Sequence, residues 1–386
     1  MRIGLIFLLV LVVTGTNFAV DIVCDCRYFW MVRDALETPE SIDSMINRAA
    51  EAGANGIIVQ VAGRAEAYYT SSILPMANFQ DDFDPLAYTI ARARPRGLEV
   101  HAWVNAFLVW SAPYPPADSL HVWHSHPDWF MTDRFNRSTR EYTRDECDRN
   151  SLVGATLSPA IPEVREFIAD VAAEIAVNYS VDGIHLDYIR YPNPSFGFEF
   201  QSSGKFFLET GLDPLDIFRR YGETGELVDM WSLWKIDQVT MTVETIRSVL
   251  RSEAPGVLLS CAVMADPNEA RSHYSCDWRS WLESGLVDFV CTMAYTTNTV
   301  KAKELAVLGT TVCPERVIHG IGIYNQPMST AFVGAAEALA NGGRGICIFS
   351  LNSLSSDSTW MLRNFWGQTG STDHPLDSAV FHRVSN

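Results

Sequence analysis

The stretch VDGIHLDYIRYP, residues 181–192, decides the fold that we predict for this chain of 386 residues. Within it, Ile184 and Leu186 alternate with His185 and Asp187, which is the twofold period of a β-strand. In a barrel strand, one face packs against outer helices and the other points to the interior. The alternation therefore predicts a strand that carries Asp187 at its carboxyl end, facing inward.

Seven other short runs have the same character. Most are rich in Val, Ile, Phe and Cys, as expected of parallel strands that helices cover. Amphipathic stretches separate them, with helix signals such as Thr38-Pro39 and Asn341-Gly-Gly. Strands that alternate with helices predict a (β/α)8 TIM barrel, and a doubly wound open sheet is the alternative. The eight predicted strands span 28–33, 56–61, 98–105, 182–187, 257–264, 287–295, 316–324 and 345–351.

Three connections are long, and all of them follow strands rather than helices. They span 62–83, 107–160 and 188–214, after the second, third and fourth predicted strands. Loops that follow the strands of a (β/α)8 barrel meet at its carboxyl-end face, where the active sites of such barrels form. The insertions therefore predict one functional face.

The amino terminus has the pattern of a secretory signal peptide. Arg2 precedes an apolar run over 3–13, and small residues follow. The run is shorter than the ~20 residues that span a bilayer, and an uncleaved anchor is the alternative. We expect a secreted, periplasmic or cell-envelope protein with no integral membrane segment after cleavage. The predicted organisation is a signal peptide over 1–19, a barrel domain over 22–366 and a polar tail over 367–386.

The formal net charge of −17 argues against nucleic-acid partners, which require clustered Lys and Arg, and is compatible with neutral sugars. The sequence contains no P-loop, no dinucleotide fingerprint and no Gly-x-Ser-x-Gly, so we expect no cofactor. Eight cysteines include no Cys-x-x-Cys pair. In an exported protein, Cys147 and Cys276 are the pair that we would first expect to form a disulfide.

The two aspartates of the opening stretch have different predicted roles. Asp187 ends its strand at the barrel mouth, where a carboxylate can act as nucleophile or stabilise an oxocarbenium-like centre. The alternative is that Asp187 caps the next turn or pairs with Arg190. Asp182 begins the strand at the opposite end, so we predict a structural role for it.

Other inward positions supply candidates for binding a sugar. Asn105 ends the third strand, and Arg64 is in phase with Gln60 of the second. Rings near the strand ends can stack on sugars, although covering the core is the alternative. A core role is also the alternative for His185, which lies deeper. The predicted binding residues are Arg64, Trp103, Asn105, His185, Tyr295 and Tyr324.

The segment His121-Val-Trp-His-Ser-His126 suggests a metal site because imidazoles bind transition metals. Its spacing matches no helical pair of ligands, and no His-Glu-x-x-His occurs. We therefore expect no metal, and we keep a metal-dependent hydrolase or deacetylase as a third hypothesis.

Residues 181–192 closely resemble the signature of the glycosyl hydrolase-like 10 family of exported bacterial proteins, formerly domain of unknown function 187. Other segments agree in order, and the similarity spans about 22–366. The resemblance implies a TIM-barrel glycosidase acting on a polysaccharide, with peptidoglycan strands that lack stem peptides as a candidate substrate. The supporting segments are RYFWMVR (27–33), EVHAWVN (99–105), PEVR (162–165), DWRSW (277–281), GLVDFV (285–290) and MAY (293–295).

The pattern Asp-Gly-x-x-x-Asp is also similar to the fourth-strand region of α-amylase-type enzymes, whose second aspartate is the nucleophile. This implies that role for Asp187. Those enzymes keep a glutamate acid after the fifth strand, whereas LSCAVMAD (259–266) ends here in Asp266, our candidate acid. We predict an exported glycoside hydrolase, and a non-catalytic carbohydrate-binding protein on a degenerate barrel is the alternative. LSPA (157–160) also departs from the family's usual Asn- or Asp-Pro-Gly.

Overall fold

The structure, a computed structural model, describes residues 24–80, 82–222 and 224–368. The predicted signal peptide and almost all of the predicted polar tail lie outside the described residues. Within these three ranges, no helix is both long enough and apolar enough to cross a membrane.

Eight parallel strands close into a barrel in the order β1-β10-β9-β8-β7-β6-β3-β2. Each predicted strand is present, with its ends within two residues of the prediction, so the (β/α)8 barrel is confirmed and the open sheet was wrong. The barrel strands are β1 (Cys26–Met31), β2 (Gly56–Ala62), β3 (Glu99–Asn105), β6 (Gly183–Asp187), β7 (Leu258–Met264), β8 (Phe289–Met293), β9 (Val317–Gly322) and β10 (Gly345–Phe349). Two short strands, β4 (Leu108–Trp110) and β5 (Ala155–Thr156), pair antiparallel outside the barrel.

Helices surround the barrel, and the predicted start signals are visible at their ends. The Thr38 side chain accepts a hydrogen bond from Ser41 N at 3.2 Å, and Pro39 occupies the first helical turn. The helices are α1 (Pro39–Glu51), α2 (Pro85–Ala93), α3 (Val122–Ser125), α4 (Arg144–Arg149), α5 (Pro162–Asn178), α6 (Phe200–Thr210), α7 (Pro214–Tyr221), α8 (Glu226–Glu253), α9 (Pro267–Tyr274), α10 (Trp278–Glu283), α11 (Thr299–Gly309), α12 (Met328–Ala340) and α13 (Ser356–Gln368).

Large rings fill the barrel interior. Trp30 lies at its centre, where its indole Nε1 donates to His185 Nε2 at 3.2 Å. A glycine on β9 makes room for it, because a Cβ on Gly320 would run into the Trp30 ring and the Thr292 carbonyl. Aliphatic residues of the outward strand faces form a separate core against the helices. The barrel is therefore a packed core, and ligands have access at its mouth.

Two expectations about structural residues have opposite outcomes. Asp182 has the predicted structural role, since it pairs with Arg94 at 3.0 Å and accepts from Val100 N at 2.7 Å. The expected disulfide was wrong, because Cys147 and Cys276, like the other six cysteines in the described ranges, are free thiols.

Candidate active site

A pocket of about 370 Å³ opens at the carboxyl ends of the strands, on the predicted face. Residues that end β3, β6, β8 and β10 meet there, because the parallel strands all end at the same rim of the barrel. Asp187, Trp103, Asn105, Tyr295 and Tyr324, all predicted from the sequence, line it. The other lining residues are Trp30, Val32, Arg33, Gln60, Gly63, Leu108, Ser111, Val153, Tyr188, Arg190, Ala262, Met293 and Phe349.

Asp187 is held by one oxygen of its carboxylate. Its Oδ1 accepts from Tyr188 N at 2.6 Å and from Arg190 Nη1 at 3.1 Å. The other oxygen, Oδ2, accepts no hydrogen bond from any residue that the structure describes, and the side chain is 9% exposed. Asp187 therefore both caps the turn and pairs with Arg190, as the two alternatives predicted. It also lines the pocket. The arrangement fixes the carboxylate and leaves one oxygen available to a ligand.

The turn after β6 sets this geometry. Tyr188 has a φ of 52°, in the left-handed region that non-glycine residues seldom occupy. The Arg190 guanidinium lies 4.5 Å from the Tyr188 ring centroid, and its side chain is 12% exposed. Burial is the largest single influence and lowers the pKa of Arg190, but the charge and hydrogen bond of Asp187, together with Tyr188, raise the pKa above its ordinary value. Arg190 is thus a fixed positive charge beside Asp187.

Asn105 lies beside Asp187, because the two are register partners on β3 and β6. Its Oδ1 accepts from Trp103 Nε1 at 2.9 Å and from Gln60 Nε2 at 3.4 Å, and its Nδ2 donates to Gly63 O at 2.6 Å. This network orients the amide and the indole together. The second hydrogen of Nδ2 has no acceptor among the described residues, so a ligand can accept from it.

Arg64 was predicted to face the interior, but it does not line the pocket. The pairing of β2 with β3 shifts register between Gln60 and Ala62, so one extra residue reverses the inward phase. Gly63 therefore faces the pocket instead. Arg64 Nε donates to Ser111 Oγ at 3.1 Å, and its guanidinium lies 5.5 Å from the Trp110 ring centroid. It supports a residue of the pocket wall rather than forming that wall.

Aromatic rings form one side of the pocket. Tyr295 stacks on Phe349 with ring centroids 5.5 Å apart, and Tyr324 meets both edge-on at 6.3 and 5.8 Å. Tyr324 is 52% exposed, so its ring is open to a ligand. Edge-on and stacked rings of this kind provide the flat apolar surface on which a sugar can pack.

Two predicted site residues lie elsewhere. His185 is fully buried below the pocket, where Nε2 accepts from Trp30 and Nδ1 lies 2.9 Å from Ser260 Oγ. This placement favours the core role, which was the alternative for His185, over the binding of substrate. Asp266 does not line the pocket either, because its Oδ1 caps α9 and accepts from Asn268 N at 2.9 Å and Glu269 N at 3.4 Å. Its role as an acid stays a prediction without support from this placement.

Asp187 is therefore the single carboxylate among the described residues that line the pocket. A carboxyl group in the loop after β2 is a further candidate partner. Burial raises the pKa of Glu66, and the positive charges of Arg64 and Arg33 only partly offset this. Glu66 does not line the pocket itself, but it follows Gly63, which does, by three residues.

The three histidines of the 121–126 segment have other partners. His121 Nε2 lies 2.7 Å from Arg64 O, and Nδ1 accepts from Trp123 N at 3.0 Å. His124 Nε2 lies 2.9 Å from Pro116 O, and His126 stacks on Trp129 at 3.8 Å. In the described ranges, no group of three His, Cys, Asp or Glu side chains is placed to hold a metal ion. These backbone contacts give the segment a role in fixing the long loop.

The sequence analysis missed Trp30 and Arg33 as pocket residues. Both are in the first predicted strand, and the inward phase of Tyr28 extends to Trp30, so the twofold period could have found the indole. Arg33 lies beyond the end of β1, where strand phase no longer applies. No sequence signal placed its side chain at the pocket.

A closed (β/α)8 barrel with a fixed carboxylate and an aromatic wall at its carboxyl-end mouth has the architecture of the TIM-barrel glycoside hydrolases. The chain belongs to the glycosyl hydrolase-like 10 family, whose model matches residues 21–334. This confirms the resemblance seen in the sequence.

Curated relatives agree with this membership. The chain is 23% identical to glycosyl hydrolase YngK of Bacillus subtilis, over 67% of this chain and 49% of that protein. It is 25% identical to glycosyl hydrolase DigH of Escherichia coli K12, over 63% of this chain and 55% of that protein. The chain thus spans about half the length of the curated relatives it matches.

Solved structures share the fold. The glycoside hydrolase domain of PgaB (BpsB) from Bordetella bronchiseptica superposes with a TM-score of 0.66 at 15% identity, covering 88% of this chain and 98% of that one. The catalytic domain of β-amylase from Paenibacillus polymyxa gives 0.61 at 11% identity, covering 87% and 95%. At these identities the likeness concerns the fold alone.

Proposed function

We propose that this protein is an exported glycoside hydrolase that cleaves a polysaccharide, with Asp187 as nucleophile or charge stabiliser. One observation carries the proposal: Asp187 Oδ1 is fixed by Arg190 and the Tyr188 amide, while Oδ2 is left to the pocket. A carboxylate that is positioned in advance can meet positive charge as it develops on an anomeric carbon. The aromatic wall and the free Asn105 hydrogen suit a sugar ring beside it.

The reaction needs a second group that protonates the departing oxygen as the glycosidic bond breaks. Glu66 is our candidate, since burial raises the pKa of its carboxyl group, which is the direction that suits a general acid. Asp266 stays a second candidate from sequence similarity. Denuded peptidoglycan strands are the substrate that we propose to test first, and export rests on the signal-like pattern of residues 1–19.

The experiment is digestion of a panel of glycans, including denuded peptidoglycan, with product masses read by mass spectrometry. Asp187→Asn should abolish turnover, while Asp170→Asn serves as a matched control because Asp170 is an exposed carboxylate on α5. Full activity of Asp187→Asn on a glycan that the wild type cleaves would overturn the proposal.

A non-catalytic carbohydrate-binding protein is the second candidate. The observation that favours it is the single carboxylate in the described lining of the pocket. Such a protein would bind a glycan of the panel and cleave none. Calorimetric binding that Asp187→Asn leaves intact, without products from the wild type, would support this alternative over the hydrolase.

A further inference from the structure

A second pocket, of about 560 Å³, lies beside the candidate active site. Two chain segments contribute to both. Asn150 and Ser151 line the second pocket while Val153 lines the first, and Asn193 lines the second while Arg190 lines the first. The two pockets are therefore neighbours on the carboxyl-end face of the barrel.

The second pocket is basic, although the chain has a formal net charge of −17. Its lining includes Arg134, Arg149 and Lys235, and Asp229 is the one carboxylate among the described lining residues. Arg149 is exposed and forms no ion pair within the described part of the chain. Arg149 is thus a cation of this pocket that no carboxylate in the described part of the chain neutralises.

Lys235 is a buried ammonium group in this pocket that has no carboxylate from the described ranges in contact with it. It is 2% exposed, and its Nζ donates only to the carbonyl oxygens of Pro194 and Phe196, at the long distances of 3.3 and 3.4 Å. No carboxylate of the described residues lies within ion-pair distance of Nζ, whose nearest aromatic ring, Tyr191, is centred 5.0 Å away. Burying an ammonium group without a counter-ion is costly, and one of its three hydrogens has no acceptor here.

Two further observations agree with a missing anion. Burial lowers the pKa of Lys235 to about 8, and the attraction of the Glu199 carboxylate, which is not in ion-pair contact with it, only partly offsets burial. Trp231, which also lines the pocket, has a buried Nε1 without an acceptor among the described residues. Unused donors next to a cation are what a ligand with anionic oxygens would satisfy.

We propose that this pocket is an accessory subsite that binds a carboxylate or phosphate group of the glycan whose neutral part occupies the candidate active site. The inference rests on the proposed function in one respect, namely that the ligand is a glycan. Lys235 and Arg149 would contact the anionic oxygens from the buried and the exposed side of the pocket. The substrate class is therefore an anionic polysaccharide rather than a neutral one.

The test uses pairs of glycans that differ in one group. Denuded peptidoglycan fragments and galacturonan oligosaccharides are each compared with their carboxyl-reduced forms by titration calorimetry, in the Asp187→Asn background. We expect one acidic form to bind about tenfold more tightly than its reduced form. Lys235→Met and Arg149→Gln should remove this preference, and Arg363→Gln, an exposed arginine on α13, should keep it.

Arg149→Gln keeps the proposal falsifiable if Lys235→Met unfolds, because Arg149 is exposed. Equal binding of acidic and reduced forms in every pair, or a preference that survives Arg149→Gln, would overturn the proposal. The same calorimetric titration is also carried out with a phosphorylated oligosaccharide, with its dephosphorylated form and with inorganic phosphate. Preference for the phosphorylated sugar over its dephosphorylated form supports the subsite with phosphate as the anion, whereas binding of inorganic phosphate alone overturns a glycan subsite.

Failure of the two proposals can be told apart with the same reagents. Preference for the acidic glycan without cleavage by the wild type would leave the subsite standing and remove the hydrolase. Conversely, cleavage of the glycan by the wild type, with a KM that neither Arg149→Gln nor carboxyl reduction changes, would support the hydrolase and remove the anionic subsite.

Discussion

Arg190 Nη1 lies 3.1 Å from Asp187 Oδ1, and the two residues are separated by only one turn of chain after β6. The pair is buried on one side and opens to the pocket on the other. A second arginine–aspartate pair, Arg94 with Asp182 at 3.0 Å, lies at the opposite end of the same strand. Two ion pairs of similar chemistry thus mark the site end and the structural end of β6.

We expect Arg190→Gln to lower kcat by about tenfold or more with little change in KM, because the carboxylate loses the partner that positions it. Arg190→Lys should recover part of the loss, since the charge returns without the guanidinium geometry. Steady-state kinetics measures both. Arg94→Gln is the matched control and should cost stability with kcat unchanged, and equal kcat losses in the two glutamine variants would contradict the positioning role.

Tyr324→Ala should raise KM about three- to tenfold, because it removes an exposed ring that a sugar can stack on. Stability should change by less than about 0.5 kcal/mol, as the side chain is 52% exposed. Trp360→Ala on α13 removes another exposed ring, 68% accessible, away from the pocket. If both variants raise KM alike, the effect of Tyr324 is not local stacking.

Glu66→Gln should lower kcat about a hundredfold on a natural glycan and far less on an aryl glycoside, whose leaving group needs no proton. The pKa of Glu66 is raised, and an acid works while protonated. Activity should therefore fall as pH rises through this pKa, and the variant should lose that limb of the pH–rate profile. Asp266→Asn should leave both kcat and stability nearly unchanged, because asparagine caps a helix about as well as aspartate does. Selective loss of glycan cleavage in Asp266→Asn would instead favour the acid predicted from the sequence.

His185 should make the wild type less stable as pH falls. Burial lowers its pKa to about 3 from the ordinary value of 6.5, so below pH 6.5 the unfolded chain takes up a proton that the folded chain refuses. The free energy of unfolding should drop by about 2 kcal/mol between pH 7 and pH 5 through this residue. Urea unfolding of wild type and His185→Gln should show this difference between the two pH slopes. Parallel slopes would mean that the imidazole is protonated in the fold.

Gly320→Ala should destabilise the barrel by at least about 2 kcal/mol, because the new methyl group would meet the Thr292 carbonyl and the Trp30 ring. Gly204→Ala is the control, since nothing lies within 4 Å of its added Cβ on α6, where alanine favours the helix. Thermal unfolding compares them. A neutral Gly320→Ala would show that Trp30 can move aside.

The barrel could be predicted from the sequence because its signals are local. Strand periods and caps such as Thr38-Pro39 act over a few residues, and each placed an element correctly. The same phase argument brought Asp187, Asn105 and Trp103 to one pocket, since strand ends share one rim.

The predictions that failed depend on interactions between segments that are distant in the sequence, or on signals that were given too little weight. Arg64 was misplaced by an irregular pairing of β2 with β3, which is a property of two strands rather than one. For His185, strand phase gave the inward side correctly but could not decide between the binding role and the core role, and its full burial favours the core role. For Asp266 a local signal did exist, since Asp followed by Pro267 is a helix start, and similarity to other enzymes was preferred over it.

The Trp30 ring has a consequence for how a chain-like substrate is handled. With its indole held on His185 and packed against Gly320, the tunnel that eight strands would otherwise enclose is blocked beneath the pocket. A polymer cannot pass through the barrel, so it would have to bind across the open pocket at the carboxyl ends of the strands. Both halves produced by a cut would then depart by the opening through which the intact strand arrived, and inhibition by short products is the kinetic sign to look for.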